Sequence, residues 1–202
     1  MKNKGKYKVS KNEDELDILP NLLEITDKKL INIQEAKGFS EATIRLVQDL
    51  SDETVFDKDY ILKIHKLALR HLYSFAGKYR TVNVSKGGFS FPPARFLEAS
   101  MEEFQNTILD EVKVNNPSES ELIEYIAFVH AELLFIHPFR EGNGRTARLL
   151  ANLMAYKFGY NSLAFDKLDS EEMFENYIVA IQQGGLKNYV PMIEIIKILF
   201  QS

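Results

Sequence analysis

A chain of 202 residues, 45% apolar and 27% charged, is long enough to bury one sizeable core and too short for two comfortable ones. It has no cysteine, which excludes disulfides and thiolate metal sites and suits a cytoplasmic address, and no apolar run approaches the ~20 residues of a membrane-spanning helix. A net charge of −4 without a basic stripe argues against nucleic acid as a partner.

The basic start, Met1 to Lys8, leads into no apolar core of a secretory signal. Residues 1–15 are expected to be a flexible tail before a single domain over residues 16–202. From Asp27 to Leu50, the residues Leu30, Ile33, Phe39, Ala42, Leu46 and Leu50 recur at helical spacings and predict a first helix, with Gly38 counting against it. Asp57 suits the N-cap of a second, marked by Tyr60, Ile64, Leu67, Ala68 and His71. Tyr79–Val84 is rich in β-formers, Lys86-Gly87-Gly88 signals a turn, and Phe89-Ser90-Phe91 precedes Pro92-Pro93, so one short hairpin is expected. A lone hairpin needs something to pack on.

A third helix is expected from Ala94 to Val114 through Met101, Phe104, Ile108 and Val112. Ser118 and Glu121 have capping-box spacing and open a strongly apolar helix to Ile136. A fifth should start near Asn143 and stop at Gly159. Asp169 with Glu172 is expected to cap a sixth that ends at Gly184-Gly185, and Pro191 fits the first turn of a last helix ending near Phe200. The fold class is all-α, with one hairpin.

The stretch His137-Pro138-Phe139-Arg140-Glu141-Gly142-Asn143-Gly144-Arg145-Thr146-Ala147-Arg148 carries the chemistry. A histidine ends an apolar helix, a glycine-bearing turn follows, and another helix begins. Glycine lets backbone amides come close to a ligand, and amides at a helix N-terminus favour an anion. Arg145 and Arg148, at i and i+3, add two guanidinium forks that suit a polyphosphate. Glu141 offers a hard oxygen to phosphate-bound Mg²⁺, and histidine, with an ordinary pKa near 6.5, accepts protons at neutral pH. Each element alone is common in purely structural turns; together and in this order they mark a site. No His-Glu-x-x-His pair, Walker-type loop or kinase signature set occurs.

This segment resembles the signature of the Fic (filamentation) family, H-x-F-x-[D/E]-G-N-G-R-x-x-R, and matches it at every constrained position. Ala76 to Val84, Gly87-Gly88-Phe89 and Pro92-Pro93 resemble that family's flap, and His130, Ile136 and Tyr177 add to the likeness. The resemblance implies a Fic-fold helical bundle with a β-hairpin flap, and a protein adenylyltransferase that moves AMP from Mg-ATP to a Tyr, Thr or Ser hydroxyl of a target protein. By position, His137 would be the general base and Phe139 an anchor in the core. Glu141 would hold Mg²⁺ between the α- and β-phosphates. Gly142, Asn143 and Gly144 would form the anion hole, while Arg145 and Arg148 hold the β- and γ-phosphates. Tyr177 and Gln183 would lie near adenine. The flap residues Val84, Lys86, Gly87, Gly88 and Phe89 would clamp the target by strand addition.

Two other readings stand beside this one. A phosphotransferase like the Doc toxins resembles the motif but carries lysine where Gly144 stands. A catalytically idle Fic-fold module would have no need of both arginines. Many Fic proteins carry an inhibitory helix marked [S/T]-x-x-x-E-[G/N], whose glutamate pairs with the second arginine. No match occurs in this chain; the nearest place reads Ile33-Gln34-Glu35-Ala36-Lys37-Gly38, with Lys37 in the glutamate's place. The chain is therefore expected to be active, or to be restrained in trans by an antitoxin-like partner, as a bacterial toxin is.

Overall fold

The computed structural model describes residues 8–9, 18–86, 89–110 and 116–200. Among these are seven α-helices, one of them central, and a small antiparallel sheet. Asp27 caps α1 (Lys28–Gln48) through the amides of Lys29 and Leu30, and Asp57 caps α2 (Lys58–Leu69) through the amide of Tyr60. The buried stripe of α1 is Ile31, Glu35, Phe39, Ala42 and Leu46. Leu30 and Ile33, expected in that stripe, are 51% and 58% exposed. Gly38 belongs in this helix because α1 and α2 pack closely there: a Cβ would stand 2.0 Å from the Ala68 carbonyl oxygen.

The hairpin consists of β2 (Val84–Lys86) and β3 (Phe89–Ser90), with Ser85 opposite Ser90 and Lys86 opposite Phe89. Its first strand begins where the expected one, Tyr79–Val84, ends. The reason is that the Arg80 amide donates to the Pro138 carbonyl at 2.8 Å, which binds this stretch to the loop after the central helix. A strand not foreseen, β1 (Lys8–Val9), pairs with the other side of β2, Lys8 opposite Ser85 and Val9 opposite Val84. Gly87 and Gly88 lie outside the described residues.

The third helix is broken. A 3-10 turn (Ala94–Phe96) leads into α3 (Leu97–Phe104), and a π turn (Gln105–Leu109) follows. The Gln105 side chain accepts from the Lys58 amide and donates to Asp110, each at 2.8 Å, which ties the wide turn in place. Residues 111–115, including Val112 and Val114, lie outside the described residues.

Ser118 and Glu121 form the expected capping box, and α4 (Glu119–Ile136) packs against α3, α5, α6 and α7. Being covered on all sides, it is apolar nearly all round. α5 (Asn143–Lys157) follows the motif turn. The N-cap of α6 (Glu171–Gly184) is Ser170, not Asp169: Asp169 ends a 3-10 turn, while Ser170 is extended and its hydroxyl accepts from the Met173 amide. α7 (Val190–Phe200) starts with Pro191 in its first turn. No helix among the described residues is long and apolar enough to cross a membrane.

Candidate active site

α4 delivers His137 to its C-terminal cap in the left-handed region, at φ +54° and ψ +57°. For a non-glycine residue that conformation is strained, and surrounding contacts must hold it. Arg80 supplies them. Its Nε donates to the His137 carbonyl at 2.8 Å, while its other nitrogens donate to the carbonyls of Val82 (2.8 Å) and Pro92 (2.6 Å). One guanidinium thus ties both ends of the flap to the histidine's backbone. Burial lowers the Arg80 pKa to about 10, which still leaves it charged at neutral pH.

The His137 ring is aimed from two sides. Nδ1 lies 3.1 Å from the Leu134 carbonyl, which can only accept, so Nδ1 carries the proton and Nε2 the basic lone pair. Phe91 of the flap stacks on the ring at 3.8 Å and 21°.

The turn between α4 and α5 is closed by Asn143, whose side chain accepts from the Phe139 amide at 2.8 Å and donates to the Phe139 carbonyl at 2.7 Å. Phe139 is fully buried and stacks on His65 at 3.8 Å. His65 Nδ1 accepts from the Gly77 amide, so its Nε2 carries the proton and donates to the Glu141 carbonyl at 3.0 Å. Burial lowers the His65 pKa to about 4, a shift that the backbone bond opposes and Arg145 adds to. Gly142 turns the chain at φ +80°, a conformation that favours glycine, and no side chain caps the α5 N-terminus that follows.

The two arginines part company. Arg148 lines a cavity together with His137, Gly144, Phe89 and Phe91, and Phe174, Tyr177, Ile178 and Ile181 of α6 give it an apolar wall. The Arg148 guanidinium lies beside the Tyr177 hydroxyl and opposes the rise in that hydroxyl's pKa that burial causes. That hydroxyl donates at 2.7 Å to Nε2 of His130, whose Nδ1 lies 3.3 Å from the Ala147 carbonyl. Burial, with Arg148 beside it, lowers the His130 pKa to about 3. Arg145 is not among the cavity residues. It lies over the Phe39 ring, and its Nη2 donates to Glu35 at 2.9 Å and to Glu141 at 3.4 Å.

Of the residues singled out in the sequence, His137, Gly144, Arg148, Tyr177 and Phe89 meet at one cavity. Asn143 is buried and spends its side chain on the Phe139 backbone, and the Gly142 amide is taken by the Glu141 carboxylate at 2.9 Å. Gln183 accepts from Asn188, and the glutamine on the cavity wall is Gln182. Val84, in the first strand of the flap, is buried. Gly87, Gly88 and the Lys86 side chain lie outside the described residues. Lys37 faces solvent beside Glu41 and so does not oppose Arg148; the helix phase turns Glu35 toward the motif instead.

Glu35, His65, Arg80 and Phe91 were not singled out as site residues. For Glu35 a signal existed: it is an acid in phase with the apolar stripe of α1, and a buried carboxylate needs a partner.

Glu141 is the one carboxylate of the motif. Both of its side-chain hydrogen bonds end on Oε1, which leaves Oε2 for a hard cation. No cluster of three metal-ligating side chains occurs among the described residues. Magnesium fits here only when shared with nucleotide phosphates and water, its usual manner of binding.

Comparisons with known proteins agree with this geometry. A profile described as the Fic/DOC family matches residues 55–155. Protein adenylyltransferase Fic of Nematostella vectensis is 29% identical over 178 residues, covering 86% of this chain and 40% of the relative. Protein adenylyltransferase VbhT of Bartonella schoenbuchensis is 28% identical over 162 residues, covering 80% of this chain and 33% of the relative. The chain thus spans well under half the length of these curated relatives. The crystal structure of the effector BepC of Bartonella tribocorum with bound AMPPNP superposes with a TM-score of 0.72 over 92% of this chain and 93% of that one, at 20% identity, a likeness of fold. With the motif turn, its histidine and the uncapped helix in place, the matching profile identifies the chain as a member of the Fic/DOC family.

Proposed function

We propose that this chain is a protein adenylyltransferase that moves AMP from Mg-ATP to a Tyr, Thr or Ser hydroxyl of a target protein. The observation that carries this reading is one cavity lined by His137, Gly144 and Arg148 together with apolar residues of α6. A base and a phosphate cradle share this cavity with an apolar wall fit for a nucleobase. The names of the two curated relatives, and the AMPPNP bound to the Bartonella tribocorum neighbour, support it.

In this mechanism the target oxygen attacks the α-phosphorus. The bond from that phosphorus to the bridging oxygen breaks, and pyrophosphate leaves with the electron pair. His137 takes the hydroxyl proton at Nε2, the nitrogen left basic by the Nδ1 contact with Leu134. Amides of the first turn of α5 and the Arg148 guanidinium receive phosphate oxygens. Glu141 would hold magnesium, which neutralises charge on the phosphates.

The target's segment would dock on the flap as an added strand. The outer edge of β2 carries the chain's own β1, so a target strand on that edge takes the place of Lys8–Val9. Gly144 favours AMP transfer over a Doc-like reaction. A Cβ there would lie 3.4 Å from Arg148 Nη1, so a lysine would drive a second cation against the arginine that lines the cavity.

The test is transfer of label to protein from ATP labelled at the α- or the γ-phosphate. Label from the α-phosphate alone supports AMP transfer. Label from the γ-phosphate alone refutes it and favours a phosphotransferase, and none from either favours an idle module.

A further inference from the structure

Arg145 is held away from the cavity by a buried anchor on a helix remote in sequence. Its Nη2 meets Glu35 Oε2 at 2.9 Å across 110 positions, and the other Glu35 oxygen accepts from the Tyr73 hydroxyl at 2.6 Å. Glu35 and Tyr73 are 4% and 2% exposed. Tyr73 is itself fixed, stacked on Phe75 at 4.7 Å, and burial with the Glu35 hydrogen bond keeps its hydroxyl protonated.

Both carboxylate oxygens of Glu35 are therefore satisfied, and the charge of Arg145 balances a carboxylate out of contact with water. An arginine that swung to a phosphate would leave that carboxylate buried and unpaired, an expensive state. Phe39 beneath the guanidinium, 5.0 Å from its centre, further restricts it. The same Nη2 reaches Glu141 Oε1 at 3.4 Å, the oxygen that also accepts from the Gly142 amide, which leaves Oε2 for a cation. His65 holds the Glu141 carbonyl from behind, so its backbone and its carboxylate are gripped separately.

We propose that Arg145 is a positioning residue, a strut from α1 to the motif that aims Glu141 at nucleotide-borne magnesium, with Glu35 and Tyr73 as its anchor. Arg148 is left as the arginine that binds phosphate. The proposal rests on the adenylyltransferase reading only in taking Glu141 as the magnesium ligand.

Binding decides it, without turnover. The probe is α,β-methylene-ATP, which cannot give up AMP, titrated by calorimetry with and without Mg²⁺. In Glu35→Gln the amide cannot accept from both Tyr73 and Arg145. The Mg²⁺ concentration for half-saturation should rise ~10–100-fold, the usual cost of losing an outer partner of a metal ligand. Metal-free nucleotide should bind within about twofold of wild type, and Arg145→Met should behave alike, with no added loss in the double variant. Should Glu35→Gln fail to fold, Tyr73→Phe removes one hydrogen bond alone and should shift the Mg²⁺ requirement in the same direction by a smaller factor.

Equal weakening with and without Mg²⁺, or loss of metal-free affinity in Arg145→Met, makes Arg145 a phosphate ligand and overturns the proposal. So does a wild-type chain whose nucleotide affinity ignores Mg²⁺. A selective loss of the metal effect upholds the strut even if no label is transferred; in that event only the transfer reading falls.

Discussion

Arg80 Nε donates to the His137 carbonyl at 2.8 Å, so a flap residue fixes the backbone of the histidine that follows 57 positions later. The contact explains how His137 keeps its left-handed conformation, and it makes flap and motif one unit. Arg80→Ala should destabilise the fold by about 2–4 kcal/mol, because buried carbonyls lose a charged donor. Arg80→Lys should recover little, since an ammonium cannot span the carbonyls of Val82, Pro92 and His137 as a fork does. Urea unfolding gives the stability, and transfer assayed well below the melting temperature gives the activity. Unchanged stability in Arg80→Ala would mean that the flap is held by other contacts.

The flap itself offers a second test. Proline at Val84 removes an amide from the strand that carries both pairings of the small sheet. It should reduce modification of targets more than ATP binding. Deleting residues 1–10 frees the edge of β2 that Val9 and Lys8 occupy, and should raise target modification several-fold if targets add there as strands. A deletion without effect on any target would place docking elsewhere.

Buried histidines make stability depend on pH. His65 and His130 have pKa values lowered by burial to about 4 and about 3, against about 6.5 in the unfolded chain. Above pH 6.5 both states are neutral and neither residue contributes. As pH falls below 6.5 the unfolded chain takes up protons that the folded one refuses, so stability drops by up to about 1.4 kcal/mol per pH unit for each. The loss from His65 levels off near pH 4, that from His130 near pH 3. Denaturant midpoints from pH 7 to pH 4 should show the fall, and replacing either histidine with an uncharged residue that still folds should flatten it.

The Tyr177 hydroxyl is bonded to His130 and lies beside Arg148. Tyr177→Phe should weaken nucleotide binding several-fold by loosening Arg148, at a stability cost of about 1–2 kcal/mol for the buried His130 nitrogen left unpaired. Affinity unchanged in this variant would show that Arg148 is oriented without it.

What could be read from the sequence follows how local each feature is. Asp57 and the Ser118–Glu121 box announce helix starts because a cap and its amides lie within three residues. The motif was legible because its chemistry is consecutive, and even Asn143 serves a residue only four back. The phase of α1 was not: Leu30 and Ile33 are as apolar as the residues that are buried, and only packing against α2 selects between the faces. The struts were hidden for the same reason. Glu35 meets Arg145 across 110 positions and Arg80 meets His137 across 57, and no local pattern pairs them.

The most direct test of the central claim compares wild type with His137→Ala, in Mg²⁺, using α-labelled ATP and intact-mass analysis of lysate proteins. Wild type should add the mass of one AMP to target proteins and carry the α-label. His137→Ala should lose ~10²–10⁴-fold in transfer, the worth of a positioned base, while binding ATP nearly as well, its phosphate cradle being untouched. Label arriving only from the γ-phosphate, or α-label transfer undiminished in His137→Ala, would contradict AMP transfer with His137 as the base.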